Sequence, residues 1–246
     1  LYVWVNLIKN EFGWEAALSN HASIADEVVV AINTSEDNTL EKVSEFAEKN
    51  DKIKVIETDF SYLDPDLDGK IKNAALQETQ YSTKIGLDMD ELINPRLKDR
   101  WQTIGAVLEK SRDIEAFFVP VIDLYENKYR YKSIGQKWYI HKEGLYRGTV
   151  NFAKNNDGTH DTNKSDSCEL INENGDLVPS AGMVLVDGST PDDLTFDNIK
   201  DQKIPVVFHL GYLNLRRKIL RNKNFWKDHW RIEAGRDVYV PTELDE

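Results

Sequence analysis

The chain has 246 residues, of which 40% are hydrophobic, 10% aromatic and 30% charged, a balance that excludes a disordered chain and suffices for one packed α/β core. A formal net charge of −12 argues against general nucleic-acid binding, because the phosphate backbone needs a basic partner surface. No run of about 18 apolar residues is present to span a membrane as a helix, and the opening segment lacks the basic, apolar and small-residue order of a signal peptide.

The single cysteine, Cys168, forms no internal disulfide and reads as a small core or loop residue, which fits a reducing compartment and a cytoplasmic protein.

In chain order, the first half alternates apolar strands with amphipathic helices, the pattern of a mainly parallel sheet covered on both faces. Tyr2 to Ile8 reads as a strand, and Trp14, Ala17 and Leu18 mark a helix face. Glu27 to Ile32 is a β-branched run suited to a buried parallel strand, followed by a helix carrying Leu40, Val43 and Ala47. Ile53 to Glu57 is a third strand, Ile71, Ala74 and Ala75 share the next helix face, and Thr83 to Leu87 is a strand ending at Asp-Met-Asp-Glu.

Leu97, Trp101, Ile104 and Leu108 define a further helix, after which the pattern changes. Glu115 to Asp123 and Tyr129 to Ile134 read as strands of a smaller antiparallel region, and residues 151–174 are polar and rich in turn formers. Pro205 to Asn214 reads as an apolar strand that ends in His209, and the acidic end from Thr242 reads as frayed.

Ligands of open α/β sheets bind beyond the carboxyl ends of the strands. That rule singles out residues 9–11, 33–37 and 88–91. Asp88 and Asp90 are two apart at a strand end, so in extended geometry they project to one side and share a ligand. Carboxylates hold Mg²⁺ or Mn²⁺ together with substrate phosphates, and an acidic protein needs such an ion to neutralise a diphosphate locally.

Five segments, Val5 to Glu11, Ala25 to Thr39, Lys54 to Phe60, Gly69 to Leu76 and Ile85 to Glu91, resemble in order and spacing the family 2-like glycosyltransferases of the GT-A fold. The resemblance runs over about the first 95 residues. It implies one domain over residues 1–246, with 1–95 binding the nucleotide sugar and 96–246 forming the acceptor half and a C-terminal helical segment. It also implies an inverting hexosyl transfer from a UDP- or GDP-sugar to a glycan or other hydroxyl acceptor.

By that resemblance Asp88 lies near the ribose and the metal, and Asp90 is the principal metal ligand. Asn33, Ser35 and Asp37 approach the base, Lys72 and Asn73 match a basic-Asn pair near the diphosphate, and Lys9 and Glu11 match a Lys-Asn-Glu segment. The chain departs from many relatives in having Ile32 and Asn33 where an Asp follows the second strand. His209 and Tyr212 match a His-x-Gly-Tyr segment, with His209 a third ligand to the metal.

Inversion requires a carboxylate base near the acceptor, and Asp161, paired with His160, occupies the family's position for it. Asp123, Glu143, Asp166 and Glu169 are the other candidates, and His141 lies toward the same half. His21 and His229 read as packing or solvated helix residues. The basic segment Arg216 to Arg231, with Trp226 and Trp230 on one helical face, reads as a solvated face over core tryptophans. It also suits an anionic acceptor or peripheral contact with an acidic membrane surface.

Two other functions compete. A nucleotidyltransferase needs a glycine-rich phosphate loop after the first strand, where this chain has only Gly13. A carbohydrate-binding or interaction protein of the same fold needs no turnover.

Overall fold

The computed structural model describes residues 2–7 (backbone alone), 13–34, 37–61, 67–80, 82–112, 114–142, 146–148, 169–171, 180–181, 195–201, 203–214, 216 and 219. The first half runs β1 (Tyr2–Leu7), α1 (Trp14–Ile24), β2 (Glu27–Asn33), α2 (Thr39–Ala47), β3 (Ile53–Thr58), α3 (Leu67–Gln77), β4 (Thr83–Asp88) and β5 (Glu91–Ile93). A 3-10 turn at Pro95–Leu97 leads into α4 (Lys98–Lys110), β6 (Ala116–Tyr125) and β7 (Asn127–Lys142). The short strands β8 (Tyr146–Gly148), β9 (Glu169–Ile171) and β10 (Ser180–Ala181) then precede α5 (Phe196–Asp201) and β11 (Val207–Tyr212).

The β-branched run of β2 sets the architecture. Successive side chains of a strand point to opposite faces, and in β2 both faces are buried. Val28, Val30 and Ile32 join a core with Trp14 and Leu18 of α1, Val43 of α2 and Trp101 and Leu108 of α4. Val29 and Ala31 join a second core with Leu67, Ile71, Ala75 and Leu76 of α3. The predicted two-sided coverage is therefore built by one strand's alternation.

The main sheet has the order β3-β2-β1-β4-β7-β6-β11-β5, with β10 pairing parallel to β6. Strands β3, β2, β1 and β4 are parallel. Strand β7 runs against both β4 and β6, and β11 runs parallel to β6. Two reversals restore direction, so β1, β2, β3, β4, β6 and β11 all deliver their carboxyl ends to one rim.

The smaller antiparallel region expected in the second half is divided: β8 and β9 pair antiparallel in a two-stranded sheet of their own, whereas β6, β7 and β11 extend the main sheet. The reason lies in β7, whose Ile140 stands opposite Ile85 of β4 on one side and Phe117 of β6 on the other. All three are buried. The same apolar core thus continues across the junction, and the sheet becomes mixed.

Strand β5 is only three residues long and forms the edge beside β11. An unpaired edge leaves backbone groups that must find partners, and here α1 supplies them. The Asn20 amide donates to the Ile93 carbonyl at 2.8 Å and accepts from the Ile93 N–H at 2.8 Å. His21 Nε2 donates to the Glu91 carbonyl at 2.8 Å.

Burial pushes the His21 imidazole down to about 4 from its ordinary 6.5, against the raising effects of the Glu91 hydrogen bond and the Asp88 charge. A base whose folded value is depressed leaves stability intact above the unfolded value and loses it as pH falls from 6.5 toward 4, because the unfolded chain protonates first. The expected loss is about 3 kcal/mol across that window. Thermal melts at a series of pH values should show it, and His21→Gln, which keeps a donor for Glu91 but does not titrate, should flatten that part of the curve. An equally steep fall in the variant would assign the acid sensitivity to other groups.

Candidate functional site

The Asp-Met-Asp-Glu segment straddles a change of strand. Asp88 ends β4, Met89 and Asp90 form a turn, and Glu91 begins β5. Met89 is fully buried and anchors the turn in the main core. The Glu91 carboxylate accepts the Asp88 N–H at 2.9 Å and closes the turn from within. Asp90 is therefore not in extended geometry beside Asp88, as the spacing alone predicts, and the two carboxylates meet different partners.

The Asp88 carboxylate lies 3.4 Å from Lys72 Nζ, a side chain of α3 that is only 6% exposed. A buried ammonium keeps its charge when paired in this way. Asp90 is carried toward β11 instead. Its carbonyl accepts the Leu210 N–H at 2.7 Å, and its Oδ2 lies 3.3 Å from His209 Nε2.

Strand β11 does not end at His209, as the sequence suggests, but runs on to Tyr212 because it continues to pair with β6 as far as Tyr125. His209 stands in register with Asp123 of β6, and its Nδ1 lies 2.7 Å from Asp123 Oδ1. The ring also packs edge-on against Tyr212, with centroids 5.7 Å apart at 81°. Burial alone lowers the affinity of this imidazole for a proton. The Asp90 charge, the hydrogen bonds to Asp123 and Asp90 and the Glu91 charge outweigh that effect and raise it to about 10.

Gly211 makes the approach feasible. A Cβ at that position would fall 2.6 Å from His209 Nε2, 2.9 Å from His209 Cε1 and 3.0 Å from Asp90 Oδ2.

Of the residues singled out from sequence, the structure thus gathers Asp88 with Lys72 and Asp90 with His209. Asn33 is at the same rim but fully buried. Its amide donates to the Phe60 carbonyl at 3.0 Å and accepts from the Phe60 N–H at 2.9 Å and the Thr58 hydroxyl at 3.0 Å. It locks the exit of β3 and shapes the rim from beneath. Asp37 is exposed and accepts the Thr39 N–H at 3.0 Å, at the start of α2.

Lys9, Glu11 and Ser35, together with Glu143, His160, Asp161, Asp166 and the segment Trp226 to Arg231, lie outside the described residues, as does the side chain of Glu169. Asp123, expected among the candidate bases, has its Oδ1 on His209. His141 is buried in β7, and its Nδ1 lies 2.9 Å from the Lys142 carbonyl.

Sequence reasoning placed Glu91 at the rim without giving it a role, and missed Gly211 as a site residue. A signal for Gly211 exists in the His-x-Gly-Tyr spacing, because residues two apart on a strand share a face. Among the described residues, no three His, Cys, Asp or Glu side chains gather around one point suited to an ion, and no helix is long and apolar enough to cross a membrane.

No family model and no curated protein matches the chain. Among solved structures, that of S. aureus TarS aligns at 20% identity over 54% of this chain and 22% of that one, with a TM-score of 0.39. The structure of S. aureus TarS 1-349 in complex with UDP-GlcNAc aligns at 22% identity over 52% of this chain and 35% of that one, with a TM-score of 0.37. S. aureus TarS 1-349 alone aligns at 15% identity over 93% of this chain and 71% of that one, with a TM-score of 0.42. The chain thus matches well under two thirds of the first two proteins.

Proposed function

We propose that this chain is a glycosyltransferase that takes a nucleoside-diphosphate sugar, with a divalent ion, and transfers the sugar to an acceptor hydroxyl with inversion. The observation that carries the reading is the approach of His209 to Asp90 at 3.3 Å, two residues from an Asp88 paired with a buried Lys72. These groups meet at the carboxyl ends of the parallel strands, where α/β sheets bind ligands.

The donor set fits Mn²⁺ or Mg²⁺. Asp90 offers a carboxylate oxygen, and His209 would offer Nε2 once the proton that the neighbouring carboxylates hold there gives way to the ion, on a ring whose Nδ1 is held by a second carboxylate, the arrangement that metal-binding histidines use. Two protein ligands suffice where substrate phosphates and water complete the shell, and the imidazole favours Mn²⁺. Asp88, on the strand end, is assigned to the ion and the ribose together. When bound, the ion supplies positive charge to the departing diphosphate.

Lys72 adds a second positive charge, Lys9 and Asp37 are assigned to the donor, and Asn33 is assigned to the floor beneath it. Asp161 is assigned to take the proton of the attacking hydroxyl. A UDP- or GDP-sugar donor and a glycan acceptor fit these roles.

A thermal-shift screen of UDP, GDP, CDP and dTDP sugars, each with and without Mn²⁺, tests the reading. Ligand at a hundredfold over Kd stabilises by about 2.7 kcal/mol, which for a chain of this size raises Tm on the order of 5–10 °C. The expected result is one nucleotide whose shift requires Mn²⁺. Shifts with none of the pairs, and no release of nucleoside diphosphate with acceptor present, would leave a binding module of the same fold.

A further inference from the structure

We infer that Asp123 is a positioning residue for this site, holding the His209 ring so that Nε2 faces Asp90. The inference rests on the function proposed above for its consequence in metal binding, but the positioning itself stands on geometry alone. The contact is short, 2.7 Å between Asp123 Oδ1 and His209 Nδ1, in the range of a charge-assisted hydrogen bond. It is also sheltered, with side-chain exposures of 21% for Asp123 and 14% for His209.

The pair is dictated by the backbone. Asp123 and His209 are register partners on adjacent parallel strands, so neither side chain needs to reach for the other. A histidine ring has two orientations about χ2 that exchange its nitrogens with its carbons. In the observed orientation Nδ1 meets Asp123 and Nε2 meets Asp90. The reversed ring would set carbons against both carboxylates and forfeit both contacts.

Tyr212 packs near-perpendicular to the ring, and the absent side chain of Gly211 leaves Nε2 room. Those neighbours limit the space without distinguishing the two orientations. The two carboxylates do distinguish them, and Asp123 makes the shorter contact of the two. Its role is therefore to act through His209, and the same contact leaves its Oδ1 poorly placed to serve as the base for the acceptor.

The test compares wild type with Asp123→Ala and Asp123→Asn by two readouts. In ¹⁵N-resolved spectra of the histidine rings, wild-type His209 should give a downfield, exchange-protected Nδ1–H signal. Asp123→Ala should lose it with the backbone amide fingerprint preserved, whereas Asp123→Asn, which retains an acceptor oxygen, should keep it with an upfield displacement. Calorimetric titration of Mn²⁺ in the presence of UDP should show affinity weakened by about 10–100-fold in Asp123→Ala, with partial rescue in Asp123→Asn.

A protected Nδ1–H signal that persists unchanged in the variants overturns the inference, as does Mn²⁺ affinity in Asp123→Ala equal to wild type. If Asp123→Ala does not fold, the displaced signal in Asp123→Asn decides in favour and an unmoved one against. If wild type takes up no Mn²⁺ with UDP, the metal reading is what fails, and the ring spectra still decide the positioning role.

Discussion

Asp90→Ala is expected to abolish the Mn²⁺-dependent part of donor binding, with a loss on the order of 100-fold or more, while the protein remains folded. The fold tolerates the change because the bond that ties the turn to β11, from Leu210 N–H to the Asp90 carbonyl, uses only backbone. Met89 and the Glu91 carboxylate, which shape the turn from inside, are also untouched. What disappears is the carboxylate that faces His209 Nε2 at 3.3 Å. Titrations of Mn²⁺ with and without nucleotide in wild type and variant measure the effect, and an unchanged metal dependence would remove Asp90 from the site.

The same variant carries a pH signature. His209 is held at about 10 against an ordinary 6.5, so its charged contacts contribute stability that is fully present below 6.5 and lost as pH rises through 10. Removing Asp90 removes part of that contribution. The stability gap between wild type and Asp90→Ala should thus be widest below pH 6.5 and narrow toward pH 10, which denaturant melts at several pH values would resolve.

The strands and helices were legible where local pattern carries the information. The buried run Val28 to Ile32 identifies β2 because a strand covered on both faces must be apolar throughout. The faces marked by Val43 and Trp101 likewise coincide with α2 and α4. The order of strands beyond β4 was not legible, because it depends on pairings between segments far apart in sequence. Nothing local in Val207 to Tyr212 specifies that one side meets Asp123 and the other Glu91.

Strand β5 illustrates the limit. Glu91, Leu92 and Ile93 are too few to show a period, and the edge is completed by two side chains of α1 that read as ordinary helix positions. The site inherits the same division. Asp88, Asp90, His209 and Lys72 were visible as candidate residues, whereas the contacts that orient them were not. Asp123 drew notice as an acid and was given a different role, and the importance of Glu91 lies in a hydrogen bond across a turn.

Gly211→Ala should be the most damaging small substitution at the site. A methyl group is ordinarily tolerated on a strand, and Ala suits a strand no worse than Gly does. Here the added carbon would stand 2.6 Å from His209 Nε2 and 3.0 Å from Asp90 Oδ2, inside contact distance of both members of the pair. The ring has little freedom to retreat, since Asp123 holds Nδ1 and Tyr212 packs against the ring near-perpendicularly. Either the ring rotates away or the backbone of β11 shifts, and overpacking of this kind costs about 1–3 kcal/mol. Displacement of a positioned group by about 1 Å costs on the order of 100-fold in rate, so transfer should fall by about that factor while a melt still shows a cooperative, folded protein. Steady-state transfer assays beside the melt separate the two effects. Wild-type turnover in Gly211→Ala would mean that the approach of His209 to Asp90 is dispensable for the reaction.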